Sequence, residues 1–170
     1  MQMVHKWKAV MSADHIGLKE LYPRGGWASI TKYMIKLRCE NCSATTDWED
    51  IWLGKLVKGR NNRWLGRKMK CPGCERPAEV CVTEFLGVKT EDGVLLMQLQ
   101  TNGLQPIDDH IRFYTDMFAI DLDGNVSREF DLEVRADDPD NGAAELNIEF
   151  KKTVAYCRAV NSIQVTFERV

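Results

Sequence analysis

The chain has 170 residues, 44% hydrophobic and 28% charged, which suits one ordinary domain or two small ones sharing a core. That apolar share excludes a fully disordered chain, and no apolar run approaches the ~18 residues of a membrane helix. The formal net charge of −2 excludes a uniformly basic nucleic-acid binder but leaves room for a local basic patch.

Met1 to Trp7 lacks the apolar stretch of a secretory signal, so the expected compartment is intracellular and reducing, the cytoplasm. Residues 12–21, with Ser12 as N-cap, suggest a short helix. Lys32 to Arg38 alternates polar and apolar residues and predicts a strand running into Cys39. Trp48, Ile51, Trp52 and Leu53 predict a second strand, although their spacing would also fit one helical turn. Residues 54–70 carry Lys55, Lys58, Arg60, Arg63, Arg67, Lys68 and Lys70 with no acidic residue among them. Gly54, Gly59, Asn61, Asn62 and Gly66 punctuate the run, which predicts a loop or long hairpin. Glu79 to Phe85 and Val94 to Gln100 predict strands on either side of a turn at Glu91-Asp92-Gly93. Phe113 to Leu122 predicts another strand, Asp123-Gly124 a tight turn, and Phe130 to Val134 the returning strand. An acidic loop at 137–142 and strands within 144–157 and 160–169 close the chain. Many short strands separated by turns predict an all-β architecture.

Charge divides the chain. Residues 1–90 hold 16 Lys and Arg against 9 Asp and Glu, while residues 91–170 hold 7 against 16. A basic half at 1–90 and an acidic half at 91–170 would either orient a partner or simply complement each other within the fold. Met34-Ile35-Lys36-Leu37 is faintly echoed by Leu96-Met97-Gln98-Leu99.

Four of the six cysteines form two Cys-x-x-Cys pairs, Cys39 with Cys42 and Cys71 with Cys74, separated by residues 43–70. In a reducing compartment such pairs signify metal or redox work, not a disulfide framework. Four soft thiolates suit one Zn2+ per chain in a tetrahedron, with Zn–S bonds near ~2.3 Å. They leave no open position for water, so zinc is expected to staple the fold and not to catalyse. Cys81 and Cys157 fall in predicted strands and read as buried small hydrophobes.

Other constellations carry less. Asp121 to Asn125 resembles a calcium loop, but its glycine is misplaced and Leu132 stands where a bidentate Glu belongs. His5, His15 and His110 lack ligand spacing, and Asp108-Asp109-His110 reads as a solvated turn without a nucleophile motif. Trp64 among Lys58, Arg60, Arg63 and Arg67 would suit either a solvated loop or a partner surface for an acidic protein or nucleic acid.

These residues together resemble the eukaryotic CXXC-motif-containing zinc-binding proteins, a family of unknown function. The carriers are the strand entering Cys39-Glu40-Asn41-Cys42, the Lys58-Gly59-Arg60 run, Cys71-Pro72-Gly73-Cys74, and the Gly103-Leu104-Gln105-Pro106-Ile107-Asp108 loop. The resemblance is clearest from Tyr33 to about Phe118, more than half the chain. It implies an elongated all-β protein of two related β halves sharing a continuous sheet. It also implies zinc only in the N-terminal half, on ribbon-like knuckles; the family has no established catalytic activity, so the resemblance implies zinc binding and little more. Family members end in a Trp and an acidic Asp-Tyr-Asp segment before the last strand. Here that stretch is Phe150-Lys151-Lys152-Thr153-Val154-Ala155-Tyr156.

The expectation is therefore a non-catalytic zinc-binding scaffold that contacts other proteins within a larger assembly. The rivals are a zinc ribbon that binds nucleic acid through residues 55–70, and a thiol redox or metal-handling protein.

Overall fold

A computed structural model describes residues 4–15, 18–91, 93–136, 146–149, 154–157 and 160–170. In chain order the strands are β1 (Val4–His15), β2 (Leu18–Pro23), β3 (Tyr33–Cys39), β4 (Glu49–Ile51), β5 (Lys55–Val57), β6 (Arg63–Leu65) and β7 (Arg67–Lys70). They continue with β8 (Pro77–Thr90), β9 (Gly93–Asn102), β10 (Leu104–Asp121), β11 (Phe130–Arg135), β12 (Leu146–Glu149), β13 (Val154–Cys157) and β14 (Val160–Arg169). A single 3-10 turn spans Trp27–Ser29, and the described residues form no α-helix.

Two five-stranded sheets carry the fold, one in the order β14-β1-β9-β8-β7 and one in the order β11-β10-β3-β4 with β2 also on β10. Every named pairing is antiparallel. The longest strand, β10, has 18 residues and pairs with β3, β2 and β11, so it ties its whole sheet together. Two related halves are visible in the pairing. Centrally, β1 meets β9 and β3 meets β10. On their outer sides β14 pairs β1 as β8 pairs β9, and β11 pairs β10 as β4 pairs β3. The small hairpins β5–β6 and β12–β13 occupy the same place in the order. The echo at 34–37 and 96–99 falls on β3 and β9, which are not counterparts, so it does not mark this relation.

Strict alternation explains the core. Tyr33, Ile35 and Leu37 of β3 and Ile111, Phe113, Met117 and Ala119 of β10 are buried on one face of their sheet. Trp7, Ala9 and Met11 of β1, Leu99 of β9, and Ile163, Val165 and Phe167 of β14 are buried on the other sheet. Each large side chain withdrawn from water contributes about 1.5–3 kcal/mol. The Trp7 indole N–H donates to Thr101 Oγ1 at 2.9 Å, so its polar atom is satisfied inside.

Two expectations fail. The described residues of 12–21 form strands and not a helix, because Ser12 pairs with Gln164 on β14 and Leu18–Pro23 pairs with β10. Pairing with neighbouring strands outweighs a weak local preference. The segment Gly103 to His110 is not a loop followed by a solvated turn, since Leu104 already begins β10. A bulge lies between Pro106 and Ile111, and Asp109 adopts a left-handed φ of 60° within it. There Asp108 Oδ1 accepts the Phe167 N–H at 2.8 Å and Asp109 Oδ1 accepts the Val165 N–H at 2.9 Å. Both carboxylates thus occupy amides of β14, the edge strand of the other sheet.

The acidic loop at 137–142 and residues 150–153 of the divergent family segment lie outside the described residues.

Candidate metal centre

Cys39 ends β3 in one sheet, and Cys71 directly follows β7 in the other. The four cysteine sulfurs meet between these strands, all within 4.8 Å of one another. Cys39 Sγ stands 3.8 Å from Cys74 Sγ, and Cys42 Sγ stands 3.4 Å from Cys71 Sγ. A tetrahedron of thiolates around zinc has S···S edges of about 3.8 Å, so the cluster has the dimensions of a closed metal site. A metal here would join the ends of the two sheets.

One local structure is built twice. The Ser43 N–H donates to Cys39 O at 3.0 Å, and the Glu75 N–H donates to Cys71 O at 3.0 Å. In return the Cys39 N–H donates to Ala44 O and the Cys71 N–H to Arg76 O, both at 2.9 Å. Ser43 and Glu75 each hold a left-handed φ, 64° and 61°. Amides then face sulfur. Asn41 N–H lies 3.4 Å from Cys39 Sγ, while Gly73 N–H and Cys74 N–H lie 3.3 and 3.5 Å from Cys71 Sγ. A Cβ on Gly73 would come 2.9 Å from both Ala44 Cβ and Cys42 Sγ, so this position needs glycine.

These amides favour thiolate. The Cys74 amide first, and the Gly73 amide with it, draw Cys71 down to about 6 against the opposing effect of burial. Cys74 is also lowered, by the Arg76 amide first and by Asn41. Cys42 goes the other way, up to about 11. The Ala44 amide lowers it, but the Cys71, Cys74 and Cys39 sulfurs and desolvation outweigh that amide. Four crowded sulfurs cannot all ionise alone, and a cation at their centre removes that repulsion. Among the described residues this is the one group of three or more His, Cys, Asp or Glu side chains placed to share a metal.

The remaining expected site residues divide. Lys58 and Arg60 are exposed at the tip of the β5–β6 hairpin, and Arg63 is exposed on β6. Trp64 is half-buried opposite Leu56. Arg67 is engaged internally, 2.7 Å from Glu49, donating to Asp50 O at 3.1 Å and lying 5.6 Å over Trp52. His5 pairs with Glu40 at 3.1 Å, and His110 stacks on Trp48. Asp121 forms a closed hairpin turn. Its Oδ1 accepts the Asp123 and Asn125 amides at 3.0 and 2.8 Å, and Gly124 takes a φ of 87°.

Sequence reasoning missed two features. Arg112 lies 3.9 Å over the Trp48 ring, beside a cavity of 650 Å³ lined by Tyr33, Met34, Trp52, Phe113 and Tyr114. Alternation along β10, which turns Arg112 and Tyr114 away from the core, was the available signal. Cys81, buried as expected, is pressed by Gly54 and Gly66 at the two roots of the basic hairpin. The side chain of Cys157 lies outside the described residues.

No family model matches the chain, and no curated protein matches it in sequence. Among solved structures, a crystal structure of C1orf123 is similar with a TM-score of 0.59 and 18% identity, covering 97% of this chain and 99% of that one. A hypothetical protein from Plasmodium falciparum is similar at a TM-score of 0.48 and 12% identity, covering 96% and 99%. The likeness to C1orf123 is one of fold. With the four-cysteine cluster, it fits the CXXC zinc-family resemblance seen in the sequence.

Proposed function

We propose that this chain is a non-catalytic scaffold whose two sheets are stapled by one structural Zn2+ on Cys39, Cys42, Cys71 and Cys74. The single observation that carries this reading is the fourfold sulfur cluster joining the end of β3 to the end of β7. Four thiolates complete a tetrahedron, so the ion has no position at which to activate water or substrate. Zinc is among the ions that a tetrahedral thiolate set favours, and the knuckle amides suit thiolate charge.

Work would then be done by surfaces that contact other proteins, as a subunit of an assembly in the cytoplasm. The aromatic cavity beside Arg112 has the composition of an interface, rich in Trp, Tyr, Met and Arg. Charge on the two sides differs in sign. The β5–β6 hairpin is basic, whereas β10 and β11 set Asp116 opposite Asp131 and Tyr114 opposite Glu133. The hydrogen bond with Asp131 first, and the Asp131 charge with it, raise Asp116 from its ordinary value.

Metal stripping tests the reading. Chelation should lower the melting temperature, and zinc alone should restore it. The loaded protein should not reduce a disulfide substrate. Disulfide turnover that Cys71→Ser abolishes would replace the scaffold with a thiol redox protein.

A further inference from the structure

A second hollow, of 240 Å³, lies where the β5–β6 hairpin arches over the outer face of the β7-β8-β9 sheet. The hairpin is fixed at its roots. A Cβ on Gly54 would meet Cys81 Cβ and Sγ at 2.8 Å, and one on Gly66 would meet Cys81 Cβ and Val80 O at 2.4 Å. The two glycines and Cys81 therefore hold the hairpin down and set the height of the space beneath it. Register sets the floor. Lys68 stands opposite Glu79, and Glu79 opposite Asn102, in one row across three strands. Gln100 lies in the next row, opposite Cys81. The roof carries Arg63 and Trp64.

Each wall has an unfilled capacity or a spent one. Asn102 Oδ1 is buried and has no hydrogen-bond donor among the described residues. Glu79, the one carboxylate of the lining, already accepts the Gly66 N–H at 2.6 Å. Neither Arg63 nor Lys68 forms an ion pair among the described residues. Trp64 offers an aromatic surface in the same space. An aromatic face, amide groups and unpaired cations together are what a nucleotide requires: stacking, an edge to read, and phosphate neutralisation.

We propose that this hollow takes one base of a single-stranded nucleic acid. The base stacks on Trp64, and the Gln100 and Asn102 side chains that line the hollow border its edge. Its flanking phosphates lie against Arg63 and Lys68, and the exposed Lys58 and Arg60 at the hairpin tip meet the next phosphates. A duplex is excluded because its bases are stacked and paired away from the hollow. The site is separate from the metal centre and from the aromatic cavity, so it does not rest on the scaffold reading.

Fluorescence anisotropy of the full chain tests it, using a short labelled RNA of mixed sequence, the same strand as DNA, its duplex, and polyglutamate. The single strands should bind more tightly than the duplex or polyglutamate. Affinity should fall as salt rises from about 50 to 200 mM, and Arg63→Gln should flatten the log–log slope by about 0.7. Trp64→Leu should weaken single-strand binding about ten-fold. If Trp64→Leu does not fold by circular dichroism, Asn102→Asp replaces it, since a carboxylate there repels phosphate and should also weaken binding. No binding, unchanged affinity in the folded variant, or equal binding of the duplex would overturn the proposal. Preference for polyglutamate would overturn it in favour of an acidic protein.

Discussion

Ser43 and Glu75 occupy matching places, each four residues after the first cysteine of its pair and each in the left-handed region, with φ of 64° and 61°. Neither is glycine, so each knuckle carries backbone strain of about 1–2 kcal/mol. The strain persists because the paired hydrogen bonds around Cys39 and Cys71 fix the turn.

Glu75→Gly should relieve that strain. It should keep the metal and raise the melting temperature by a few degrees. Glu75→Val should do the reverse, costing about 1–3 kcal/mol and releasing zinc to a weaker chelator. Thermal melts with competitive chelation check both.

Gly73→Ala should also weaken the centre, because the added methyl enters the space held by Cys42 Sγ and Ala44 Cβ. Overpacking of this kind costs about 1–3 kcal/mol. The expected sign is faster zinc loss with secondary structure retained, read by a zinc-sensitive dye and circular dichroism.

The bulge of β10 makes a prediction away from the metal. Asp108→Ala leaves the Phe167 amide without its acceptor, and Asp109→Ala does the same to Val165. Each should cost about 1–2 kcal/mol in urea unfolding, with zinc content unchanged. Because both act on one strand, the double variant should depart from additivity.

Much of this architecture was readable in the residues. Tyr33 to Cys39 alternates cleanly, and the Cys-x-x-Cys spacing brought four sulfurs together as expected. Ser12 misled as an N-cap, because a capping residue is a purely local signal, and only the pairing of Ser12 with β14 and of Leu18–Pro23 with β10 decides for strand. Asp108-Asp109-His110 looked solvated because carboxylates on a strand make sense only once β14 supplies amides. The kinship of the halves lies in strand order, not in side chains, so the echo at 34–37 pointed to the wrong partner. Arg67 looked as free as Arg63 in the basic run, and its ties to Glu49 and Asp50 depend on β4 lying alongside.

Cys81 gives a prediction in pH. Burial first, and the Glu79 charge second, push its thiol up to about 11. The thiolate is the reactive form, so at pH 8 the folded protein should alkylate Cys81 about a hundred-fold more slowly than a thiol at its ordinary pKa. The rate should rise with pH until the thiol titrates. Mass mapping of iodoacetamide adducts over a pH series reads this directly.

Metal stoichiometry tests the central claim most directly. Elemental analysis of the purified chain should find one zinc per chain in the wild type and none bound in Cys74→Ser, whose melting temperature should fall as metal-coupled folding energy is lost. A chain that is folded and free of zinc, or a Cys74→Ser variant that keeps the wild-type zinc content and melting temperature, would contradict it.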